Sequence, residues 1–240
     1  MTGKILRGMI PFLFLTGFLL YGETLPQSGI EKKEMVFHFD GSLKDETGIT
    51  PIEAEGIEFV PGKVGKGILI DGKDTLVYNL GANNFNEGTI ELYLKLNWNA
   101  WENDKSRIIL DFYDRVGYRN RIRLYFYSSK GSFGSFLYFH IVDSSGKNFT
   151  YAYPKSNQWE GNVWHHLFIS WKKGEGIKFY VDGKEGGSRD GKNKESSDWN
   201  LNLAGKKLFI GTWGGNEQPW RLEGIIDELK ISPNFTNYRK

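Results

Sequence analysis

The 240-residue chain contains no cysteine, which excludes disulfides, thiol catalysis and thiolate metal sites together. It has no surplus of charge either: 31 basic residues stand against 29 acidic ones, and without Lys4 and Arg7 the two counts are equal. A neutral chain lacks the general attraction to phosphate on which nucleic-acid affinity rests, so nucleic acid is set aside as a partner. The one local basic concentration, Arg115, Arg119, Arg121 and Arg123, reads as a solvated strand face beside Asp111 and Asp114. Also missing are an amphipathic helical stretch, an internal repeat and a linker, so a single domain is expected over residues 23–240. The apolar run from Met9 to Leu20 is interrupted by Pro11 and is shorter than the about 20 residues a spanning helix needs. Preceded by Lys4 and Arg7, it reads as a signal peptide over residues 1–22, with cleavage after Gly22. No cysteine follows it, so a lipoprotein anchor is not available. The chain is expected to be exported to the periplasm, the cell surface or the medium, and to meet a membrane only if that segment stays uncleaved.

What the chain has in quantity is aromatic residues, 15% of the total, and 30 glycines that fall largely between strand-like runs. Thr89 to Leu96 is the clearest half-buried strand, because Ile90, Leu92, Leu94 and Leu96 alternate with Glu91, Tyr93 and Lys95. Residues 164–184 read as two strands around a glycine-containing turn, followed by a tight Asp182-Gly183 turn. In the first arm Trp164, His166, Phe168 and Ser170 share one face, and His165, Leu167, Ile169 and Trp171 the other. Large apolar groups on both faces place this hairpin inside a sandwich, with Trp164 and Trp171 expected in the core. About a dozen strands separated by regular turn signals are the pattern of an all-β sandwich or barrel. The segment 184–205, rich in glycine, serine, asparagine and lysine, is expected to be a long loop.

Several short pieces occur in a fixed order: Phe39-Asp40-Gly41, Gly62-Lys63-Val64-Gly65-Lys66-Gly67, Gly88-Thr89-Ile90-Glu91, Leu208-Phe209-Ile210-Gly211, and the run from Gly224 to Ile231. Together with the hairpin, this order resembles the laminin-G-like, concanavalin A-like superfamily in its exported bacterial form. The resemblance implies a two-sheet antiparallel jelly-roll sandwich with its first and last strands adjacent. It leaves activity open, because the fold hosts lectins, glycosidases, lyases, adhesins and packing domains. Relatives commonly hold a structural calcium between the first and last strands, against an early turn. The matching positions are Asp40, Asp227 and the Asp71-Gly72 turn, with carbonyl oxygens near Gly72 as further ligands. The competing reading is that Asp227 accepts hydrogen bonds from backbone groups where the terminal strands meet.

Hydrolases of this fold place carboxylates at i and i+2 of one strand, so that one attacks while the other donates a proton. Glu53, Glu55 and Glu58 approach that pattern, but Gly56 interrupts it. Asp111 and Asp114, three apart, face opposite sides of a strand. His38, His140, His165 and His166 are too scattered for a zinc site. Catalytic residues are therefore not assigned.

Carbohydrate binding asks for a different inventory, flat rings for the apolar faces of sugars and polar groups for their hydroxyls. Two loops offer it. Trp98 and Trp101 lie among asparagines and acids, while Trp213, Asn216, Trp220 and Arg221 precede the last strand. These indoles could instead cap the ends of the sandwich. The reading is an exported, non-catalytic binding module whose ligand is a carbohydrate or cell-surface glycan. Two alternatives stand beside it: a polysaccharide-degrading hydrolase or lyase of the same fold, and a surface adhesion or structural protein that binds another protein.

Overall fold

The computed structural model describes residues 33–82, 85–102, 105–128, 135–186, 197–214 and 220–239; the expected signal peptide lies outside them. Among these residues fifteen strands, numbered in chain order, form two antiparallel sheets. The first sheet runs β13 (Lys184–Glu185), β12 (Gly176–Val181), β11 (Trp164–Lys172), β6 (Gly88–Leu96), β15 (Glu223–Ser232), β4 (Lys66–Asp71) and β3 (Glu58–Pro61), and β1 (Met35–Phe37) joins it on β15. The second runs β10 (Asn148–Tyr153), β9 (Phe136–Val142), β8 (Arg121–Tyr127), β7 (Arg107–Tyr113), β14 (Lys207–Ile210), β5 (Thr75–Asn79) and β2 (Glu53–Glu55). One 3-10 turn, Ser156–Gln158, interrupts this pattern among the described residues. The sequence pattern gives about a dozen strands; β2 and β13, which are short, polar and at the ends of the sheet order, carry no such pattern.

Period-2 alternation builds the core. Ile90, Leu92, Leu94 and Leu96 of β6 are fully buried, while Glu91, Tyr93 and Lys95 are half-buried. Leu110, Phe112, Ile122, Leu124, Phe126, Leu137, Phe139 and Ile141 supply the facing layer from the second sheet. The β11 hairpin contributes Leu167, Ile169 and Trp171, and the Asp182-Gly183 turn from β12 to β13 has both residues at positive φ (50° and 74°), the backbone twist a two-residue hairpin requires. The other face of β11 is apolar because a roof covers it. The Tyr238 ring lies 5.4 Å from Phe168 and 4.8 Å from Tyr180, and Thr89 Oγ1 donates to the Asn234 carbonyl at 2.8 Å. Trp164 departs from expectation: it shares the roofed face, is half-buried, and packs under the Lys95 ammonium at 4.9 Å instead of entering the core. The expected long loop after β12 is also more than a loop. Trp199, Leu201 and Leu203 are at most 1% exposed, and the Trp199 indole N–H donates to the Asn86 carbonyl at 3.0 Å.

The chain closes where its terminal strands meet. One edge of β15 pairs with β6, and the other is shared: Glu223 to Ile226 face β4, and Leu229 to Ile231 face β1. A bulge between Asp227 and Lys230, with Glu228 at φ 48°, separates the two halves. The bulge turns the Asp227 carboxylate onto the 62–65 loop. Its Oδ2 accepts the Lys63 and Val64 amides at 2.7 and 2.9 Å, and its Oδ1 accepts the Glu228 amide at 2.8 Å. Asp40 takes the Lys66 amide at 2.7 Å. Both carboxylates occupy space that a side chain on the loop would need: a Cβ on Gly62 would stand 2.5 Å from Asp227 Oδ2, and one on Gly65 2.1 Å from Asp40 Oδ1. This explains why the motif repeats glycine.

Candidate functional site

The calcium positions do not converge. Asp227 and Asp40 sit at the Lys66 end of β4, whereas Gly72 follows Asp71 at its other end, a strand of six residues away. Both Asp227 oxygens are already taken by amide donors, whose positive ends are a poor second shell for a cation. Among the described residues no group of three His, Asp or Glu side chains could hold a metal ion. The donor set therefore does not fit calcium, and the competing reading of Asp227 matches its hydrogen bonds. The glutamate trio is likewise divided, because Glu53 and Glu55 lie on β2 of one sheet and Glu58 on β3 of the other.

Chemistry gathers instead on the outer face of the second sheet. Residues alternating with the core positions point away from it, and the strand registers align them in rows. One row crosses all seven strands: Glu53, Val77, Phe209, Asp111, Arg123, His140 and Thr150. The neighbouring row holds Ile108, Tyr125, Tyr138 and Ala152. The arginines expected on a solvated face are not solvated: Arg121 and Arg123 are 2% and 7% exposed. Arg121 Nε donates to Asp111 Oδ1 at 2.7 Å and its Nη2 donates to Oδ2, a two-point pairing in which Asp111 is wholly buried.

Two residues that precede the last strand, Trp213 and Trp220, pack against this face. After β14 the chain turns at Gly211, where a Cβ would meet Ile70 at 2.4 Å, and the Leu222 amide returns to the Gly211 carbonyl at 2.8 Å. Trp213 and Trp220 are thus displayed together, with ring centres 6.1 Å apart. Trp220 lies nearly parallel to Tyr125 (12°, 6.2 Å), and Tyr125 stacks on Tyr138 at 5.7 Å. The Arg123 guanidinium sits 5.5, 5.8 and 5.6 Å from the centres of Tyr125, Trp213 and Trp220, within cation–π reach. Burial pushes the Tyr125 phenol up to about 12. It pushes the His140 imidazole down to about 4, aided by repulsion from Arg123 and Arg121 and opposed by a 2.9 Å hydrogen bond with Asn148. The imidazole is therefore neutral at physiological pH.

The other expected binding residues separate from this pair. Trp98 is half-buried at an end of the sandwich, edge-on to Phe126 at 5.1 Å and under Arg107 at 4.4 Å. Trp101 is 44% exposed in the same loop. Arg221 donates to the Lys73 and Asp74 carbonyls and braces the β4–β5 corner. Asn216 lies outside the described residues. Tyr125, Tyr138, Arg123 and His140 were missed as site residues. The signal for them is the period-2 series Arg121, Arg123, Tyr125, Tyr127 on β8, matched by Tyr138 and His140 on β9.

Two antiparallel sheets carrying an aromatic outer face define a jelly-roll sandwich. The chain belongs to the family described as the concanavalin A-like lectin/glucanases superfamily (laminin G 3), whose pattern matches residues 71–235. Curated protein sequences give no match. Among solved structures, domain 4 of AbnA, an extracellular GH43 arabinanase from Geobacillus stearothermophilus solved with arabinotriose, is similar at 21% identity and TM-score 0.55, over 82% of this chain and 90% of that one. The binding domain of Paraclostridial Mosquitocidal Protein 1 (15%, TM-score 0.60) and the botulinum neurotoxin serotype D binding domain (13%, TM-score 0.60) align over 85% of this chain. The chain spans about half the length of those toxin domains, 49% and 48%. At these identities the likeness is one of fold.

Proposed function

We propose that this protein is an exported, non-catalytic binding module that holds a carbohydrate on the outer face of its second sheet. The observation that carries the reading is the Trp213–Trp220 pair stacked with Tyr125 and Tyr138, half-buried rings of the kind that cover the apolar faces of sugars. The similar arabinanase domain, solved with arabinotriose, supports it by analogy of fold. The apolar segment from Met9 to Leu20 supports export. A binding role is favoured over hydrolysis because the one buried carboxylate on this face, Asp111, is bound by Arg121 and has no carboxylate partner among the described residues.

Replacing Trp213 and Trp220 with alanine should abolish retention on insoluble polysaccharide and move the melting temperature little, since both indoles lie outside the core. Trp98→Ala is the contrast. It removes a ring packed on Phe126 and should destabilise by about 3 kcal/mol while the folded protein still binds. Unfolding of the double variant, or its undiminished retention, would remove the basis of this reading.

A further inference from the structure

Two guanidinium groups face one carboxylate in the row that crosses the second sheet. Arg121 takes Asp111 at two points. Arg123 is left with its Nε 3.7 Å from Asp111 Oδ1, beyond hydrogen-bond distance, and that Nε is buried with no acceptor among the described residues. Its neighbour across the sheet, His140, brings no negative charge. On the remaining sides Arg123 meets Tyr125, Trp213 and Trp220, whose ring faces attract a cation but accept no strong hydrogen bond. The Trp213 indole Nε1 is a second buried donor without an acceptor. Two unsatisfied donors, one of them on a cation, thus meet beneath the stacked rings. Such groups are rare in native proteins, and each is destabilising unless something outside the protein satisfies it.

We propose that Arg123 is the anion-binding group of this face, and that the ligand is an acidic glycan whose carboxylate or sulfate ester pairs with it. The sugar ring bearing that anion lies on Trp220 and Tyr125, and the Trp213 indole N–H donates to one of its oxygens. This rests on the carbohydrate reading above and adds to it the chemical class of the sugar. Arg121 cannot serve in the same way, because Asp111 already neutralises it. A planar guanidinium fork suits a carboxylate or sulfate better than a lysine would.

The test compares binding of the full chain to polygalacturonate, its methyl-esterified form, sulfated dextran and plain dextran, for the wild type and for Arg123→Met, Arg123→Lys and the surface control Lys44→Met. The wild type should prefer one acidic polymer to its neutral counterpart by about ten- to a hundredfold, the range for a hydrogen-bonded charge pair. Preference for polygalacturonate identifies the carboxylate as the source, and preference for sulfated dextran identifies the sulfate. Arg123→Met should remove the preference with an unchanged or raised melting temperature, since a buried cation whose Nε has no hydrogen-bond acceptor is replaced by an apolar chain; Lys44→Met should keep both. If Arg123→Met fails to fold, Arg123→Lys carries the test, and a fivefold or greater loss of preference supports the assignment. Equal binding to acidic and neutral polymers through Trp213 and Trp220 would overturn the role of Arg123 and leave the carbohydrate reading intact. A preference that survives both Arg123 variants would do the same. Absence of binding to every glycan would overturn both.

Discussion

His140 is 8% exposed, and its neutral form is the one the fold accepts, with the imidazole pushed down to about 4 by burial first. An unfolded histidine titrates near 6.5. Between those values the unfolded chain binds the proton and the folded one does not, so stability is complete above about pH 6.5 and falls as the pH drops towards 4, by at most about 3 kcal/mol. Urea unfolding of the wild type and of His140→Gln across that window should show the steeper fall in the wild type; parallel curves would mean that the imidazole already takes up its proton in the folded state. His38 has the opposite sign. Its hydrogen bonds to the Glu46 and Glu228 carboxylates raise it, so its contribution is present below about pH 6.5 and lost as pH rises through the raised value. That effect is small, because its side chain is 46% exposed. Asp227 is the residue on which closure depends, since its loss strands three backbone donors, those of Lys63, Val64 and Glu228. Asp227→Ala should cost about 3 kcal/mol, and the wild-type melting temperature should be the same in excess calcium and in chelator. A calcium-dependent rise would show that an ion displaces those amides.

Strand β8 shows how far an element's own pattern can be read. The apolar half of its alternation, Ile122, Leu124 and Phe126, is legible as core from period alone, as are β6 and β9. The polar half, Arg121, Arg123 and Tyr125, looks like a solvent face because nothing local says that Trp213 and Trp220 pack against it. The same gap explains Phe168 and Tyr180 of the β11–β12 hairpin, whose aromatic outer face makes sense only once the C-terminal residues lie across it. The site was half legible for this reason. Trp213 and Trp220 stand out as indoles in a polar loop, whereas their partners Arg123, Tyr125 and Tyr138 are separated from them in sequence and are joined to them only by tertiary packing. Trp98 gave the same local signal as Trp213, but its ring turns inward onto Phe126, a direction that loop composition does not encode. Strands β2 and β13 escaped because two- or three-residue polar segments at the ends of a sheet carry no periodicity.

At the scale of the whole molecule, the family pattern and the folded unit do not coincide. The pattern covers residues 71–235, starting at the last residue of β4 and so leaving out β1, β2, β3 and nearly all of β4. Those strands are integral to the sandwich: Met35, Phe37, Phe39, Ile68 and Ile70 are at most 1% exposed and belong to the main core cluster. Without them β15 loses both partners along one edge, an open edge that invites aggregation. Asp227, wholly buried, would also lose the hydrogen bonds from the Lys63 and Val64 amides. Each of the five missing core side chains contributes about 1.5–3 kcal/mol by burial, together about 7–15 kcal/mol, as much as the net stability of a typical domain. A polypeptide of residues 71–235 should therefore not fold alone, whereas residues 33–240 should melt cooperatively. Circular dichroism and proteolysis of the two would decide it: a cooperative, protease-resistant 71–235 fragment would show that the terminal strands decorate the sandwich and do not complete it. If the fragment fails, adding a synthetic peptide of residues 33–71 should restore cooperative melting, because that peptide brings both missing neighbours of β15 and both amides of Asp227.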